Sequence, residues 1–371
     1  MLATVRDRPL ATLRGSYRTK VESVPPSTSS DSRRLARFAL DHVAVQPLNL
    51  SPRALPVPAL SDIYAARARV YRVVRPTPLL RHPLLSAETG LDILVKHENH
   101  NPTCAFKVRG GLNLIGQLTA SERTGVITAT TGNHGQSIAL ACERDGVPCT
   151  IVTPVGNNPE KNAAMRAFGA TVIEFGKDFD EAREKVEQLQ AEQGLRYVHS
   201  ANEPALIAGV GTYALEIFEA QPDTDVILVP IGGGSGACGC GIVRSGLGSS
   251  ARVIGVQAAR ADAFTRSWRG AERVVGERAD TFAEGMATRV TFDLPFGILK
   301  KELDDIVTLT EAELAEGVRP ALRATHNLAE GAGAASLMAA VKLRDQLTGK
   351  KVVCVMSGGN VDQGTLKKVL A

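Results

Sequence analysis

Val226-Ile227-Leu228-Val229-Pro230-Ile231-Gly232-Gly233-Gly234-Ser235-Gly236 joins an apolar run to four glycines in five residues. A short apolar run without polar alternation suits a strand buried on both faces, and such strands belong to parallel sheets covered by helices. Glycines directly after it let several backbone N–H groups approach one anion, because no Cβ intervenes and positive φ is accessible. A helix starting near Ala237 adds its positive end. Gly234-x-Gly236-x-x-Gly239 also fits a dinucleotide fingerprint, yet the next strand ends in Gln257 where a ribose-binding acid belongs. No Gly-Lys-Ser/Thr follows either, so a lone phosphate is the better reading.

Outward from that stretch, short apolar runs alternate with segments of helical period. Strands are expected at residues 93–95, 125–129, 150–152, 171–173, 196–198, 252–256, 305–307 and 352–355. Helices are expected at 61–70 with Ser61 as N-cap, around 112–118 and 138–141, and at 160–168, 179–191, 205–219, 311–324 and 333–347. Pro76-Thr77-Pro78-Leu79-Leu80 reads as an extended lead-in. This alternation builds an α/β fold of parallel sheets with right-handed crossovers, and ligands sit at the carboxyl ends of the strands.

Four polar or glycine-rich loops follow such strands: Asn101 to Lys107, Thr130-Thr131-Gly132-Asn133-His134, Gly232 to Gly236, and Ser357-Gly358-Gly359-Asn360. If their strands share an edge, the loops form one site. Taken alone, Lys107 reads as a solvated lysine in a first helical turn. Thr131 to Asn133 alone is a turn with its N-cap, and Ser357 alone is a cap. Together they offer an amine, backbone donors for a carboxylate at a helix N-terminus, an anion cradle and a neutral hydroxyl. Asn133 adds an amide for a ring hydroxyl. That set suits an aldehyde bearing a phosphate, with Lys107 holding it as a Schiff base.

Composition narrows the alternatives. At 371 residues the chain has room for two domains, or for one large α/β unit with an insertion. A net charge of +4, without a basic stripe interleaved with aromatics, argues against nucleic acid. No apolar run reaches the roughly 18 to 20 residues that a membrane span needs. Six cysteines without a C-x-x-C pair and seven histidines without ligand spacing argue against a zinc site and for a reduced, cytoplasmic protein. Residues 1–57 carry scattered arginines and the patch Pro25-Pro26-Ser27-Thr28-Ser29-Ser30, and are expected to form a poorly ordered extension. Their Arg- and Ser-rich character leaves an organelle transit peptide open, against which stand Asp7, Glu22, Asp31 and Asp41.

Seven motifs follow one another along residues 58–371: Lys96-x-Glu98-x-x-x-Pro102, Phe106-Lys107-x-Arg109-Gly110, Thr131-Gly132-Asn133-His134-Gly135-Gln136, Gly232-Gly233-Gly234, Ala283-Glu284-Gly285-x-Ala287, Glu330-Gly331-Ala332-Gly333-Ala334 and Ser357-Gly358-Gly359-Asn360. In order and spacing they resemble the fold type II pyridoxal-phosphate enzymes, within them the serine/threonine dehydratase and serine racemase group. The resemblance implies a tryptophan synthase beta-like architecture of two open twisted parallel-sheet domains, with pyridoxal 5′-phosphate between them. The large domain would comprise residues 58–104 and 206–371, and the small domain, residues 105–205, would be inserted in it. A homodimer is the family expectation.

By the same resemblance Lys107 is the Schiff-base lysine and general base, and Phe106 packs near the ring. Asn133 holds the ring hydroxyl, Gly232, Gly233, Gly234, Ser235 and Gly236 hold the phosphate, and Ser357 faces the pyridine nitrogen. Thr130, Thr131, Gly132, Asn133 and His134 bind the substrate carboxylate, Gly285 lines the pocket, and Glu330 lies close to the ring. The implied reaction is dehydration of a 3-hydroxy amino acid such as threonine or serine. Lys107 removes the Cα proton, the β-hydroxyl leaves as water, and hydrolysis of the product gives a 2-oxo acid and ammonia. The alternatives are an amino-acid racemase or β-replacement synthase on the same fold, or a non-catalytic cofactor-binding protein.

The chain departs from its relatives at several points. Ala105 stands where serine is usual, Cys104 where glycine is common, and Thr131 where many relatives carry a serine that shuttles a proton. The extra methyl of Thr131 narrows that cofactor face and weighs against racemisation. Val108-Arg109 follows the lysine where cysteine synthases have Asp-Arg, which weighs against the synthase. The sequence ends soon after Asn360, so feedback inhibition through the regulatory domain of biosynthetic threonine dehydratases is not expected. Gln257 and Ala263 occupy the positions of the two acids that bind a divalent cation in some relatives. Magnesium is therefore expected to change neither activity nor melting temperature; a gain reversed by chelator would contradict this.

Overall fold

The computed structural model describes residues 55–371, so the extension expected at residues 1–57 lies, but for its last three residues, outside the described part. Among the described residues there are ten strands: β1 (Leu79–Arg81), β2 (Asp92–His97), β3 (Val126–Ala129), β4 (Cys149–Thr153), β5 (Thr171–Glu174), β6 (Arg196–Tyr197), β7 (Val226–Pro230), β8 (Arg252–Ala258), β9 (Asp305–Leu309) and β10 (Lys351–Met356). They form a six-stranded sheet of order β1-β2-β10-β7-β8-β9 and a four-stranded sheet of order β5-β4-β3-β6. Every pairing is parallel except β1 with β2.

The apolar strands of the larger sheet serve two cores at once, because successive side chains point to opposite faces. Ile227, Val229, Val353 and Val355 face one cluster, while Val226, Leu228, Val352 and Cys354 face the other. Helices Pro204–Ala220 and Ser235–Gly246 contribute Val210, Ala214, Cys238 and Cys240 to the first cluster; helices Glu311–Thr325 and Gly331–Lys342 contribute Leu314, Val318, Ala335 and Leu337 to the second. In the smaller sheet, Ile127, Ala129 and Val152 pack on Ala182, Val186 and Leu189 of helix Phe179–Gln193.

The helix Lys107–Ile115 is clamped between two others by its glycines. A Cβ on Gly110 would lie 2.8 Å from Leu206 Cγ, and one on Gly111 would lie 2.4 Å from Ser137 Oγ. Ser137, on helix Asn133–Asp145, donates its hydroxyl proton to the Lys107 carbonyl at 2.6 Å.

Beneath this helix lies a buried ionic cluster. The Arg109 guanidinium, fully buried, bridges Glu98 (Nε to Oε2 2.7 Å) and Glu216 (Nη1 to Oε1 2.6 Å). Lys96 Nζ meets Glu216 at 2.5 Å and the Thr77 carbonyl at 2.7 Å, while Thr77 and Tyr71 donate hydroxyl protons to Glu98 and Glu216. Burial pushes the Glu98 carboxyl up, but Arg109 and Lys96 outweigh it and hold it below the ordinary carboxylate range. Two cations thus offset two anions.

Several details differ from the sequence reading, among them helices Pro83–Thr89, Ala263–Arg269, Asp293–Glu302 and Gln363–Leu370, which no expectation covered. The first helix is capped at Ala59, whose N–H donates to Asp62 at 2.8 Å, so Ser61 lies inside the first turn. The lead-in after Pro78 becomes the antiparallel edge strand β1. The helix expected at 333–347 is two helices, Gly331–Lys342 and Arg344–Leu347, separated at Leu343.

Arg109→Met leaves Glu98 and Glu216 facing each other with Lys96 as the one remaining cation of the cluster. It is expected to lower stability by about 3–5 kcal/mol, read as a shift of the urea midpoint.

Candidate active site

The decisive placement is the adjacency of β2, β10 and β7. Their carboxyl ends deliver the lysine stretch, the Ser357 loop and the glycine loop to one edge of one sheet. The fourth loop, Thr130 to His134, comes from β3 of the other sheet. The lysine stretch and the Ser357 loop are joined directly. Phe106 N–H donates to the Ser357 carbonyl at 3.0 Å, Gly359 N–H donates to the Cys104 carbonyl at 2.9 Å, and Ala105 bridges Gly358. Cys104 adopts φ 51°, a left-handed conformation that costs a residue other than glycine roughly 1 kcal/mol.

Lys107 begins its helix, and its Nζ lies 3.1 Å from Ser235 Oγ and 3.4 Å from the Ser200 carbonyl. Part of the residue's surface is open, but its amine is enclosed, and burial lowers its pKa to about 8. The Phe106 ring lies 5.3 Å from the amine and meets Tyr213 edge-on at 6.1 Å; Tyr213 in turn donates to the Gly236 carbonyl at 2.8 Å. The glycine loop is thereby tied to the wall beside the lysine.

Gly232 has no room for a side chain, since a Cβ would fall 2.0 Å from the Gly285 carbonyl oxygen. Gly233 follows, and Gly234, at φ 90°, turns the chain into helix Ser235–Gly246. The first residues of that helix, Ser235 and Gly236, are buried, so its N-terminal N–H groups face the interior beside Lys107.

In the β3 loop, Thr130 Oγ1 accepts from the N–H groups of Gly132 (3.0 Å) and Gly135 (3.3 Å). That hydroxyl shapes the turn, while Thr131 and Gly132 form the turn itself. The His134 side chain points inward. Thr128 spends its hydroxyl proton on the Val198 carbonyl at 2.7 Å, so His134 Nε2–H donates to Thr128 Oγ1 at 3.0 Å. Burial holds this imidazole neutral, with its pKa near about 3. The other ring nitrogen, Nδ1, has no partner among the described residues, and the backbone of His134 is also left to meet a ligand.

Asn133 is held at both ends of its amide. It donates to Glu330 Oε1 at 2.7 Å and accepts from Asn360 Nδ2 at 2.7 Å. Burial raises the Glu330 carboxyl above its ordinary range. The sequence reading gave Asn360 no role, although it lies in the Ser357 motif. It also passed over Ser200, which contributes a carbonyl that carries no signature in residue type. At the end of β8, Gln257 Oε1 accepts from both the backbone N–H (2.9 Å) and the hydroxyl (2.7 Å) of Thr265.

A sequence profile described as "Pyridoxal-phosphate dependent enzyme" matches residues 70–358. The L-threonine ammonia-lyase of Thermotoga maritima is 39% identical over 314 residues, covering 84% of this chain and 78% of that protein. Among solved structures, the processed threonine deaminase isoform 2 of Solanum lycopersicum superposes with a TM-score of 0.80 at 30% identity, covering 84% of this chain and 91% of that one. Maize serine racemase gives a TM-score of 0.80 at 26% identity, covering 85% and 97%.

An enclosed amine with a pKa of about 8 is neutral, and so nucleophilic, above that pH. The lowered value means the reactive form is lost as pH falls below about 8, by roughly tenfold per unit. Trapping of Lys107 by a small aldehyde and borohydride, followed by mass spectrometry, is expected to reach half its maximal rate there, well below a solvated lysine.

Proposed function

The chain belongs to the pyridoxal-phosphate dependent enzyme family, and from that premise we propose that it is an ammonia-lyase acting on a 3-hydroxy amino acid of the threonine or serine type. The products are a 2-oxo acid and ammonia. The observation that carries this reading is the enclosed amine of Lys107, set between the glycine loop and the Ser357 loop with the Thr131 turn beside it.

The residues suit the cofactor. The amine, which among the described residues hydrogen-bonds to the Ser235 hydroxyl and the Ser200 carbonyl, suits an aldehyde. The helix N-terminus after Gly234 suits a phosphate. When bound, pyridoxal phosphate draws electrons from the substrate Cα, which makes that proton acidic and the β-hydroxyl a leaving group.

The chain's own residues do the rest. Lys107 Nζ takes the Cα proton, and its pKa of about 8 suits a base working near neutral pH. Backbone N–H groups of Thr131, Asn133 and His134 hold the substrate carboxylate at the start of helix Asn133–Asp145, while Gly132, its N–H given to Thr130 Oγ1, lets the turn come close. Gly232 to Gly236 hold the phosphate, Phe106 lies against the ring, and Gly285 closes the pocket behind Gly232. Asn133, fixed by Glu330 and Asn360, has one amide proton left for a ring hydroxyl. Ser357 offers the ring nitrogen a hydroxyl, a weak proton source, which favours elimination over transamination. Thr131 is the residue to return or relay a proton on the opposite face.

We assign residues 58–104 with 206–371 to a large domain and 105–205 to a small inserted one, and expect a homodimer. No helix among the described residues is long and apolar enough to cross a membrane, and six free cysteines, five of them buried, suit a cytoplasmic protein.

The holoenzyme is expected to release a 2-oxo acid from L-threonine or a close 3-hydroxy analogue, with the unreacted amino acid keeping its Cα configuration. Lys107→Ala should lower turnover on the order of 10⁴-fold. Full turnover in that variant, or racemisation in place of 2-oxo acid release, would refute the assignment.

A further inference from the structure

One ion pair near this site has no part in the chemistry above. Lys161 lies in the first turn of helix Pro159–Ala167, where Asn158 caps the helix by accepting from the N–H groups of Glu160 (2.9 Å) and Lys161 (3.3 Å). Its side chain is 9% exposed, unusual for a lysine, and its ammonium pairs with Glu284 of the turn Glu284–Met286. The shaft of Lys161 runs across Gly132, where a Cβ would lie 2.8 Å from Lys161 Cδ and 3.4 Å from Nζ. The residue after Glu284 is Gly285, whose carbonyl packs on Gly232. The pair therefore connects the helix after β4 to a turn outside the four-stranded sheet, and touches the carboxylate turn at one end and the backing of the glycine loop at the other.

We propose that Lys161 and Glu284 are positioning residues that latch the Thr131–His134 turn to the Glu284–Met286 turn, so that the carboxylate donors and the glycine loop keep their spacing around the amino-acid substrate. The lysine covers Gly132 with methylenes and spends its charge on Glu284, not on a general acid or base task. Glu330 lies close enough to sense the same ammonium, which draws its carboxyl down against the larger upward push of burial. Breaking the pair frees both turns while leaving Lys107, Ser235 and Ser357 where they are. This inference rests on the ammonia-lyase reading for its substrate, but not for its geometry.

Two measurements on the cofactor-loaded protein test it. In steady-state kinetics, Lys161→Met and Glu284→Gln are each expected to raise KM for L-threonine about tenfold with kcat changed less than about threefold. The double variant should be no worse than the worse single one, and Lys161→Arg should stay near wild type. In hydrogen exchange without substrate, the amides of residues 131–135 and 284–287 should exchange about fivefold faster in Lys161→Met, with β7 and β10 unchanged. Additive kinetic losses in the double variant, or unaltered exchange at both turns, would overturn the latch. If the wild type ignores L-threonine and its analogues, the ammonia-lyase reading fails, and the exchange measurement still decides on the latch.

Discussion

The guanidinium of Arg109, closed off from water between two carboxylates, is the constraint on which the rest of the site depends. Its two carboxylates come from different elements: Glu98 follows β2, and Glu216 lies on helix Pro204–Ala220, where it also meets Lys96 of β2. Arg109 is two residues beyond Lys107, so the cluster fixes the position and rotation of the helix that begins with the reactive amine. An apolar filling of that space would allow the helix to slide; five directed donors do not.

Much of this was legible because each sheet announces itself in the same way. The apolar strands followed by glycine or threonine loops gave the α/β class and four candidate loops. Membership in a known family gave Lys107, Asn133, the glycine loop and Ser357 their expected roles. Strand order was not legible. Nothing in Val352 to Val355 says that the last strand inserts between β2 and β7, because order is decided by packing on both faces, and these side chains differ little from those of any other buried strand. The short edge strand β1 was hidden as well, since two prolines just before it disguise a three-residue pairing. His134 illustrates a finer limit: its motif placed it at the carboxylate turn, but the direction of its ring depends on Thr128, six residues earlier on a strand.

The departures from the family pattern gather where the lysine stretch meets the Ser357 loop. Cys104 holds a left-handed conformation under two backbone hydrogen bonds, from its N–H to the Asn101 carbonyl and to its carbonyl from Gly359. Those bonds outweigh the local strain and keep Ala105 and Phe106 in register with Gly358 and Ser357. Cys104, exposed, thus places a thiol beside the site on a backbone that these bonds hold. Thr131 is partly exposed in its turn.

The position of β10 reaches beyond the finished molecule. It comes almost last in the sequence, yet it lies in the middle of the six-stranded sheet, and the loop after it carries Ser357. During synthesis on a ribosome, β2 and β7 emerge long before the strand that must separate them. Until residues 351–356 arrive, the lysine stretch has no Ser357 carbonyl to pair with and the sheet has an open seam. The nascent chain thus cannot present a finished cofactor site, and the gap is a stretch of unpaired apolar strand that a chaperone has reason to cover.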